Sequence, residues 1–386
     1  MRTESLADEL LDRARSIVGA EGLLKPFLLE ELAHEAVLAL SSDQPSTRPF
    51  SAAGEPGGLV HVKTPYAAIV PDLHARSSLL IDLLASSSPS NPATSLLDMA
   101  LDGSLTIIIL GDILNSEGRM AADRWGRAAF RLANSGIPDG LLVPEMDEEM
   151  GFSIVALGIV MLLKSRLGAG FYCLKGNHDN ITNTDLNGDA GFYKYALEGA
   201  MGAEWFRLRY GEDLMRLVRR YERLLPLVAA GRRFCASHAE PAFALGMEDL
   251  LDYRNRADVV AALIWTGNGQ ASEGSVAACL SAILGTEGRA GRLWIAGHRS
   301  VKGFYALRAG GAKGTKGTEG TEGSEGSEGS LVQIHNPERR QFAWIDNSGT
   351  RAVDAAAMYE VGEGGGIPTL LDALPLLGLD QQEQEH

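Results

Sequence analysis

The sequence predicts an α/β layered protein whose strands are buried on both faces. From about residue 59 onward, short apolar runs alternate with longer segments of helical periodicity. The run at 105–110 is apolar apart from Thr106, as expected of a strand that is covered on both sides. Several of these runs are followed at once by polar clusters rich in Asp and His. In layered α/β folds, ligands bind beyond the carboxyl ends of the strands, so these clusters mark a candidate site.

The elements follow one another in a regular order. Residues 1–58 are predicted as an N-terminal helical extension and a linker, because apolar residues recur at helical spacing before the Pro/Ser/Gly-rich stretch 42–58. The main domain is predicted over 59–350. Its strands are expected at 59–62, 66–70, 105–110, 171–174, 233–236, 293–296, 331–334 and 341–345. Its helices are expected at 78–84, 120–133, within the apolar run 151–163, over most of 191–225, and at 276–284.

Three segments look peripheral. Residues 309–330 are predicted as a flexible Gly-rich insert in a hairpin connection. Within it, residues 313–330 form six triplets, each with Gly as its middle residue and none with Pro. The acidic run 145–150 is predicted as a solvated loop. Residues 351–386 are predicted as a C-terminal tail with a short packing helix at 370–379.

Composition restricts the partners and the compartment. The chain has 35 basic and 50 acidic residues and a net charge of −15, which disfavours an extended nucleic-acid surface. Three widely spaced cysteines in apolar settings indicate reduced thiols, so we expect a cytoplasmic protein. The N-terminus lacks a signal-like apolar stretch, and the 13 residues of 151–163 are too few to span a bilayer. We therefore expect no membrane partner.

Five polar clusters at predicted strand ends carry the candidate chemistry. They are Asp72-Leu73-His74, Gly111-Asp112, Gly176-Asn177-His178-Asp179, Ser237-His238 and Gly297-His298. Residues two apart on an extended segment point to one side, so the Asp and His of the first cluster can reach one ion. The two carboxylate oxygens of Asp112 can bridge two ions. Two divalent ions are therefore the predicted cofactor, and mixed Asp/Asn/His ligands do not distinguish Mn, Fe or Zn.

Taken singly, each cluster has a simpler interpretation. An Asp at a strand end usually caps a helix or forms a turn, and a lone His is more often structural than a ligand. Five clusters in matching positions, with four of the eight histidines, make that interpretation improbable for the whole set.

The order of these motifs resembles the calcineurin-like metallophosphoesterase superfamily, over about 59–346. The resemblance implies a two-sheet α/β/β/α sandwich in which Asp72, His74 and Asp112 hold one ion. It implies that the second ion is held by Asp112, Asn177, His238 and His298. Many diesterase members end in Gly-His-X-His, whose second His adds a ligand to the first ion; here Ser300 stands in that place. The single His resembles the phosphoprotein-phosphatase branch.

The same resemblance implies roles in hydrolysis by a hydroxide that bridges the two ions. His178 would protonate the leaving oxygen. Asn115 replaces the Asp that orients this His in the branch, so Asp179 is a second candidate partner for the imidazole. Arg76 and Arg299 are candidates for binding the substrate phosphate. Ser116 stands where the branch has its phosphate-binding Arg, so the chain departs from the branch pattern.

Three functions follow from this sequence. The leading one is a phosphomonoesterase acting on a phosphorylated small molecule or a phosphoprotein. The second is a phosphodiester or dinucleoside-polyphosphate hydrolase, which the missing second His disfavours. The third is a non-catalytic scaffold, which the full ligand set and His178 disfavour. The sequence names no protein partner.

Overall fold

Two six-stranded mixed sheets form the centre of a computed structural model, which describes residues 5–19, 23–285, 291–309, 330–349 and 356–374. The strands are β1 Leu59–His61, β2 Tyr66–Val70, β3 Leu105–Ile109, β4 Phe171–Cys173, β5 Val228–Ala230, β6 Phe234–Ser237, β7 Leu293–Ala296, β8 Ala306–Ala309, β9 Ser330–Gln333, β10 Gln341–Asp346, β11 Ala356–Glu360 and β12 Thr369–Ala373. The helices are α1 Leu6–Val18, α2 Pro26–Ser41, α3 Ser77–Ala85, α4 Leu96–Leu101, α5 Arg119–Ser135, α6 Pro144–Leu167, α7 Glu198–Leu224, α8 Met247–Leu251, α9 Ala257–Ile264 and α10 Ser275–Leu284.

The sheets have the strand orders β1-β5-β6-β7-β9-β8 and β12-β11-β10-β2-β3-β4. Strands β2, β3 and β4 run parallel to one another, and so do β6, β7 and β9. The carboxyl ends of parallel neighbours meet at one edge of a sheet. The loops that follow these six strands therefore gather the polar clusters named above.

Strand β3 shows why its residues must be apolar on both faces. Ile107 and Ile109 pack into the helix-side core, whereas Ile108 and Leu110 pack into the core between the two sheets. Successive side chains of a strand point to opposite faces, so this strand separates two dry layers. On the far side of the other sheet, α9 and α10 cover a third core that contains Trp294. The predicted α/β/β/α sandwich is confirmed.

The N-terminal helices belong to the outer helical layer. Ser5 caps α1 through a reciprocal capping box with Asp8. Helix α2 packs on α6 and α7, and its Leu29 and Leu32 are fully buried. Truncating one such Leu to Ala costs about 2–5 kcal/mol in a well-packed core. These helices therefore contribute to the stability of the main domain.

Helix α6 corrects the prediction of a solvated loop at 145–150. Pro144 occupies the first turn, where its missing N–H costs nothing, and Glu145 and Asp147 lie where the helix dipole favours negative charge. Glu149 is buried and accepts hydrogen bonds from the Ser116 hydroxyl and the Arg124 guanidinium. The helix is long and apolar enough to cross a membrane, but 78% of its most apolar window is buried inside the protein.

The C-terminal segment and the Gly-rich insert also differ from expectation. Residues 369–373 form edge strand β12, paired antiparallel with β11, in place of the predicted helix at 370–379. Residues beyond 374 lie outside the described part. Strand β8, which the sequence does not predict, pairs antiparallel with β9 on the other side of the insert. The two strands predicted around Asn336-Pro337, β9 and β10, lie in different sheets, so they are not the arms of one hairpin. Triplet residues 313–329 lie outside the described residues.

Candidate metal centre

The predicted ligands converge at the edge where both sheets present the carboxyl ends of their parallel strands. Asp72 and His74 follow β2, and Asp112 follows β3. Asn177 follows β4. From the other sheet, His238 follows β6 directly and His298 lies two residues beyond β7. Five of the six are buried, and His298 is partly buried. Burial of so many polar groups is costly unless each is paired or binds an ion.

One half of the centre is a triangle of atoms suited to metal binding. His238 Nε2 lies 2.9 Å from Asn177 Oδ1 and 3.1 Å from His298 Nδ1, and the last two atoms are 3.0 Å apart. Two ligands about 2.1 Å from one ion and about 90° apart lie about 3.0 Å from each other. The spacing of these three atoms therefore fits a shared cation.

Two further contacts fix which histidine nitrogens are free to bind metal. His238 Nδ1 lies 3.0 Å from the Leu110 carbonyl oxygen, and His74 Nδ1 lies 2.8 Å from the Asn115 carbonyl oxygen. A carbonyl only accepts, so each Nδ1 carries a proton and each Nε2 is the nitrogen left to face the site. Metal-binding histidines are oriented by backbone carbonyls in this way.

The carboxylate of Asp112 lies between the two halves. Its Oδ2 is 3.5 Å from His74 Nε2 and also 3.5 Å from His238 Nε2. Burial opposes the charged form of this carboxylate, but His238, His178 and His74 hold its pKa below the usual range. A charged carboxylate placed equally near both histidines fits the predicted bridging position.

Other local charges agree with a site built for cations. Burial, reinforced by neighbouring His238, lowers the pKa of His298 to about 3, which keeps that ring neutral. A neutral imidazole is the form that binds metal. Asp72 Oδ1 is buried and has no hydrogen-bond partner among the described residues. Asp72, Asp112 and His238 form one group of atoms close enough to hold an ion.

The glycines of these motifs are required by close approach. A Cβ on Gly297 would lie 1.8 Å from Asp72 Oδ1, and one on Gly176 would lie 2.2 Å from Asp112 Oδ1. No side chain fits at these distances. The Gly that precedes the ligand in these two motifs therefore lets the loops of the site meet.

His178 lies beside the candidate centre and outside the predicted ligand set. Its backbone N–H donates to Asp112 Oδ1 at 2.8 Å, and its ring packs against Phe192 with centroids 4.3 Å apart. Burial lowers the pKa of His178 to about 4. Its ring Nδ1 has no hydrogen-bond partner among the described residues.

Neither predicted partner reaches the His178 ring. Asn115 contributes its backbone carbonyl to His74, and its backbone N–H donates to Ser153 Oγ at 2.9 Å. The carboxylate of Asp179 accepts three backbone N–H groups, from Asp112 at 3.0 Å, Ile113 at 2.9 Å and Gly176 at 2.8 Å. In this structure the Asp179 carboxylate ties the loop after β4 to the loop after β3, whereas Asn115 acts through its backbone groups.

The two predicted phosphate-binding arginines differ. The Arg76 guanidinium donates hydrogen bonds to the backbone carbonyls of Asp72, Leu73, Asn336 and Arg339, so it joins the loops after β2 and β9. Few donors are left for a substrate. Arg299 is exposed, follows His298 directly, and makes no guanidinium hydrogen bond with the described residues. It remains the arginine available to a substrate.

Two residues beside His74, one basic and one acidic, lie outside the predicted ligand set. His335 follows β9 and, with Asp72 and His74, forms a second group of atoms able to hold an ion. Glu117 lies in the loop after β3, 3.5 Å from His74 Nε2 and 2.9 Å from His335 Nε2. Burial opposes its charged form, but His74 and His335 hold the pKa of Glu117 well below its usual range. The signal for His335 was its position after an apolar run, as in the other clusters.

Comparisons with known proteins assign no family. No family model matches the chain, and no curated protein matches it. Among solved structures, a serine/threonine phosphatase from Saccharomyces cerevisiae aligns over 91% of each chain with 12% identity and a TM-score of 0.47. A cold-active protein-tyrosine phosphatase from a psychrophilic Shewanella aligns over 82% of each chain with 12% identity and a TM-score of 0.41. Likenesses at this level are too distant to assign an activity.

Proposed function

We propose that this protein is a metal-dependent phosphoesterase that hydrolyses phosphate monoesters, including those of phosphoproteins. One observation carries the proposal. Asp112 Oδ2 lies at equal distance from a ligand atom of each half of a buried Asp/Asn/His cluster. A pair of ions sharing one carboxylate is the usual arrangement for attack on a phosphate ester.

The residues of the chain divide the work. Asp72, His74 and Asp112 would hold one ion, and Asp112 with the Asn177, His238 and His298 triangle would hold the other. Two divalent ions, when bound, activate water as a nucleophile and neutralise charge on the phosphate. The donor set accepts Mn, Fe or Zn.

Two groups outside the ligand set would act on the substrate. The ring of His178 lies at the rim beside Asp112 and has an uncommitted nitrogen, so it is positioned to pass a proton to the leaving oxygen. The exposed guanidinium of Arg299 would bind the phosphate oxygens. The net charge of −15 disfavours polyanionic substrates, and a cytoplasmic location stays a prediction.

One observation favours a second candidate, a phosphodiester hydrolase. The sequence lacks the second His of the Gly-His-X-His pattern, but His335 lies beside Asp72 and His74 in space. An imidazole is therefore available near the first ion after all. A non-catalytic scaffold is the outcome left if neither kind of ester is hydrolysed.

The test compares two substrates with one protein preparation. Chelator-stripped, Mn-reloaded protein is assayed with nitrophenyl phosphate and bis-nitrophenyl phosphate. We expect monoester turnover to dominate and Asp112→Asn to lower kcat about 100-fold or more, since a shared charge worth several kcal/mol is removed. Asp185→Asn, an exposed matched change, serves as control. Preference for the diester would select the second candidate, and no turnover of either despite bound metal would refute the proposal.

A further inference from the structure

His335 occupies a place in the candidate metal centre that the predicted ligand set leaves unfilled. It lies two residues beyond β9, its side chain is 1% exposed, and its ring centroid is 5.4 Å from that of His74. With Asp72 and His74 it supplies three ligand atoms within 4.8 Å of one another. All three residues are buried, so this is not a cluster of solvated surface groups.

The contacts of the ring define its free nitrogen. His335 Nε2 lies 2.9 Å from Glu117 Oε2, and the Glu117 carboxylate can only accept, so Nε2 carries the proton. A neutral ring then has a lone pair on Nδ1. That atom lies 3.7 Å from Asp72 Oδ2 and has no hydrogen-bond partner among the described residues. A lone pair and a carboxylate oxygen facing each other in a buried site call for a cation between them.

Glu117 is itself held in place for this task. It accepts a hydrogen bond from Lys194 Nζ at 2.6 Å in addition to the one from His335. Metal-binding histidines usually donate their second N–H to a carboxylate, which sets the ring orientation and raises its basicity. The series Lys194, Glu117 and His335 has this form, with the free nitrogen directed toward Asp72.

We propose that His335 Nδ1 is a ligand of the first ion, beside Asp72, His74 and Asp112, and that Glu117 orients the ring. This inference rests on the metal centre of the proposed function. His335, which follows β9, would supply the imidazole that Ser300, which follows β7, cannot provide. A second imidazole at the first ion favours borderline cations such as Zn or Fe(II) over Mg.

A competing account makes His335 a doubly protonated ring that pairs with both carboxylates. In that account the residue balances charge, and its removal leaves the number of bound ions unchanged. In our account its removal weakens one ion and spares the other. Metal content and affinity therefore separate the two, without any need for an activity readout.

The experiment measures bound Mn and Zn per chain after dialysis, together with the dissociation constant of each ion. Wild-type protein is expected to retain two ions. His335→Gln is expected to weaken one of them by at least about tenfold, and Glu117→Gln to weaken the same ion without removing a ligand. The control is His61→Gln, a histidine of β1 outside the centre. Melting of the metal-free variants checks that each one folds.

Cobalt adds a readout that a purely structural role would not change. Replacing an imidazole by an amide alters the visible absorption of Co(II) at the affected site, whereas the control should leave it unchanged. Folded His335→Gln with two ions, unchanged dissociation constants and an unchanged cobalt spectrum would overturn the inference alone. Wild-type protein that binds no ion would overturn the proposed function as well.

Discussion

Asp179 offers the sharpest test of how the loops after β3 and β4, which carry Asp112 and Asn177, are held together. Its buried carboxylate accepts three backbone N–H groups, two at Oδ2 from Asp112 and Gly176 and one at Oδ1 from Ile113. Asp179→Asn keeps one accepting oxygen and turns an NH₂ group toward the third N–H. A hydrogen bond to a charged group contributes about 1.5–3 kcal/mol, and an unsatisfied buried donor costs about 1–3 kcal/mol.

The removed charge partly offsets this loss, because burying a neutral amide costs less than burying a carboxylate. Burial, helped by Asp112, raises the pKa of Asp179 to about 6, which is a sign of that cost. We therefore expect Asp179→Asn to lower the free energy of unfolding by about 2–4 kcal/mol. The assay is urea unfolding of metal-free protein, followed by tryptophan fluorescence.

The matched control is Asp185→Asn. Asp185 is exposed and accepts one backbone N–H, from Gly191 at 2.7 Å. Its replacement should change the free energy of unfolding by less than about 0.5 kcal/mol. If the free energies of unfolding of both variants lie within that margin of the wild-type value, Asp179 does not support the loops after β3 and β4.

Four further predictions follow from the same structure. Arg76→Ala should lower the free energy of unfolding by about 3 kcal/mol, because several buried carbonyls lose their donor. Arg299→Ala should leave the free energy of unfolding unchanged and raise KM for nitrophenyl phosphate about tenfold, which corresponds to about 1.4 kcal/mol of binding free energy. Lys164 is 2% exposed and burial lowers its pKa to about 8 from 10.5, so the unfolded chain binds more protons between these values. Unfolding free energy should therefore rise with pH across that window by up to about 3 kcal/mol, and Lys164→Met should remove this part of the slope in parallel urea titrations. Adding Mn to chelator-stripped protein at 100 times its dissociation constant should stabilise it by about 2.7 kcal/mol per ion, measured as an upward shift of the melting temperature; an unchanged melt would argue against metal binding in the folded state.

Local sequence signals predicted eight of the twelve strands in the described part of the chain, and they placed the predicted ligands directly after strands. The run at 105–110 has no polar residue after Thr106, and its alternate side chains enter two different cores. Asp and His directly after such runs lie at strand ends whatever the details of packing. This is why the residues proposed as ligands could be named in advance.

The remaining features depend on contacts between distant parts of the chain. Arg76 was chosen for its charge, but its donors reach carbonyls some 260 residues away, which no local pattern records. Asp179 likewise accepts a hydrogen bond from Ile113 in the loop after β3, and the two residues are 66 positions apart in the chain. His335 is directly followed by Asn336-Pro337, a turn signal that hides its place beside the centre. Helix α6 begins at Pro144, and the charges of the run 145–150 that follows hide its first turns.

The central claim is that hydrolysis requires two ions held by one shared carboxylate. The most direct measurement is the initial rate of nitrophenyl phosphate hydrolysis as Mn is added back to chelator-stripped protein, with bound metal determined in the same samples. The account predicts negligible turnover without metal and a rate that rises steeply only as the second equivalent binds, with Asp112→Asn slower by about 100-fold or more throughout. Full turnover by metal-free protein, or a maximal rate at one equivalent, would contradict it.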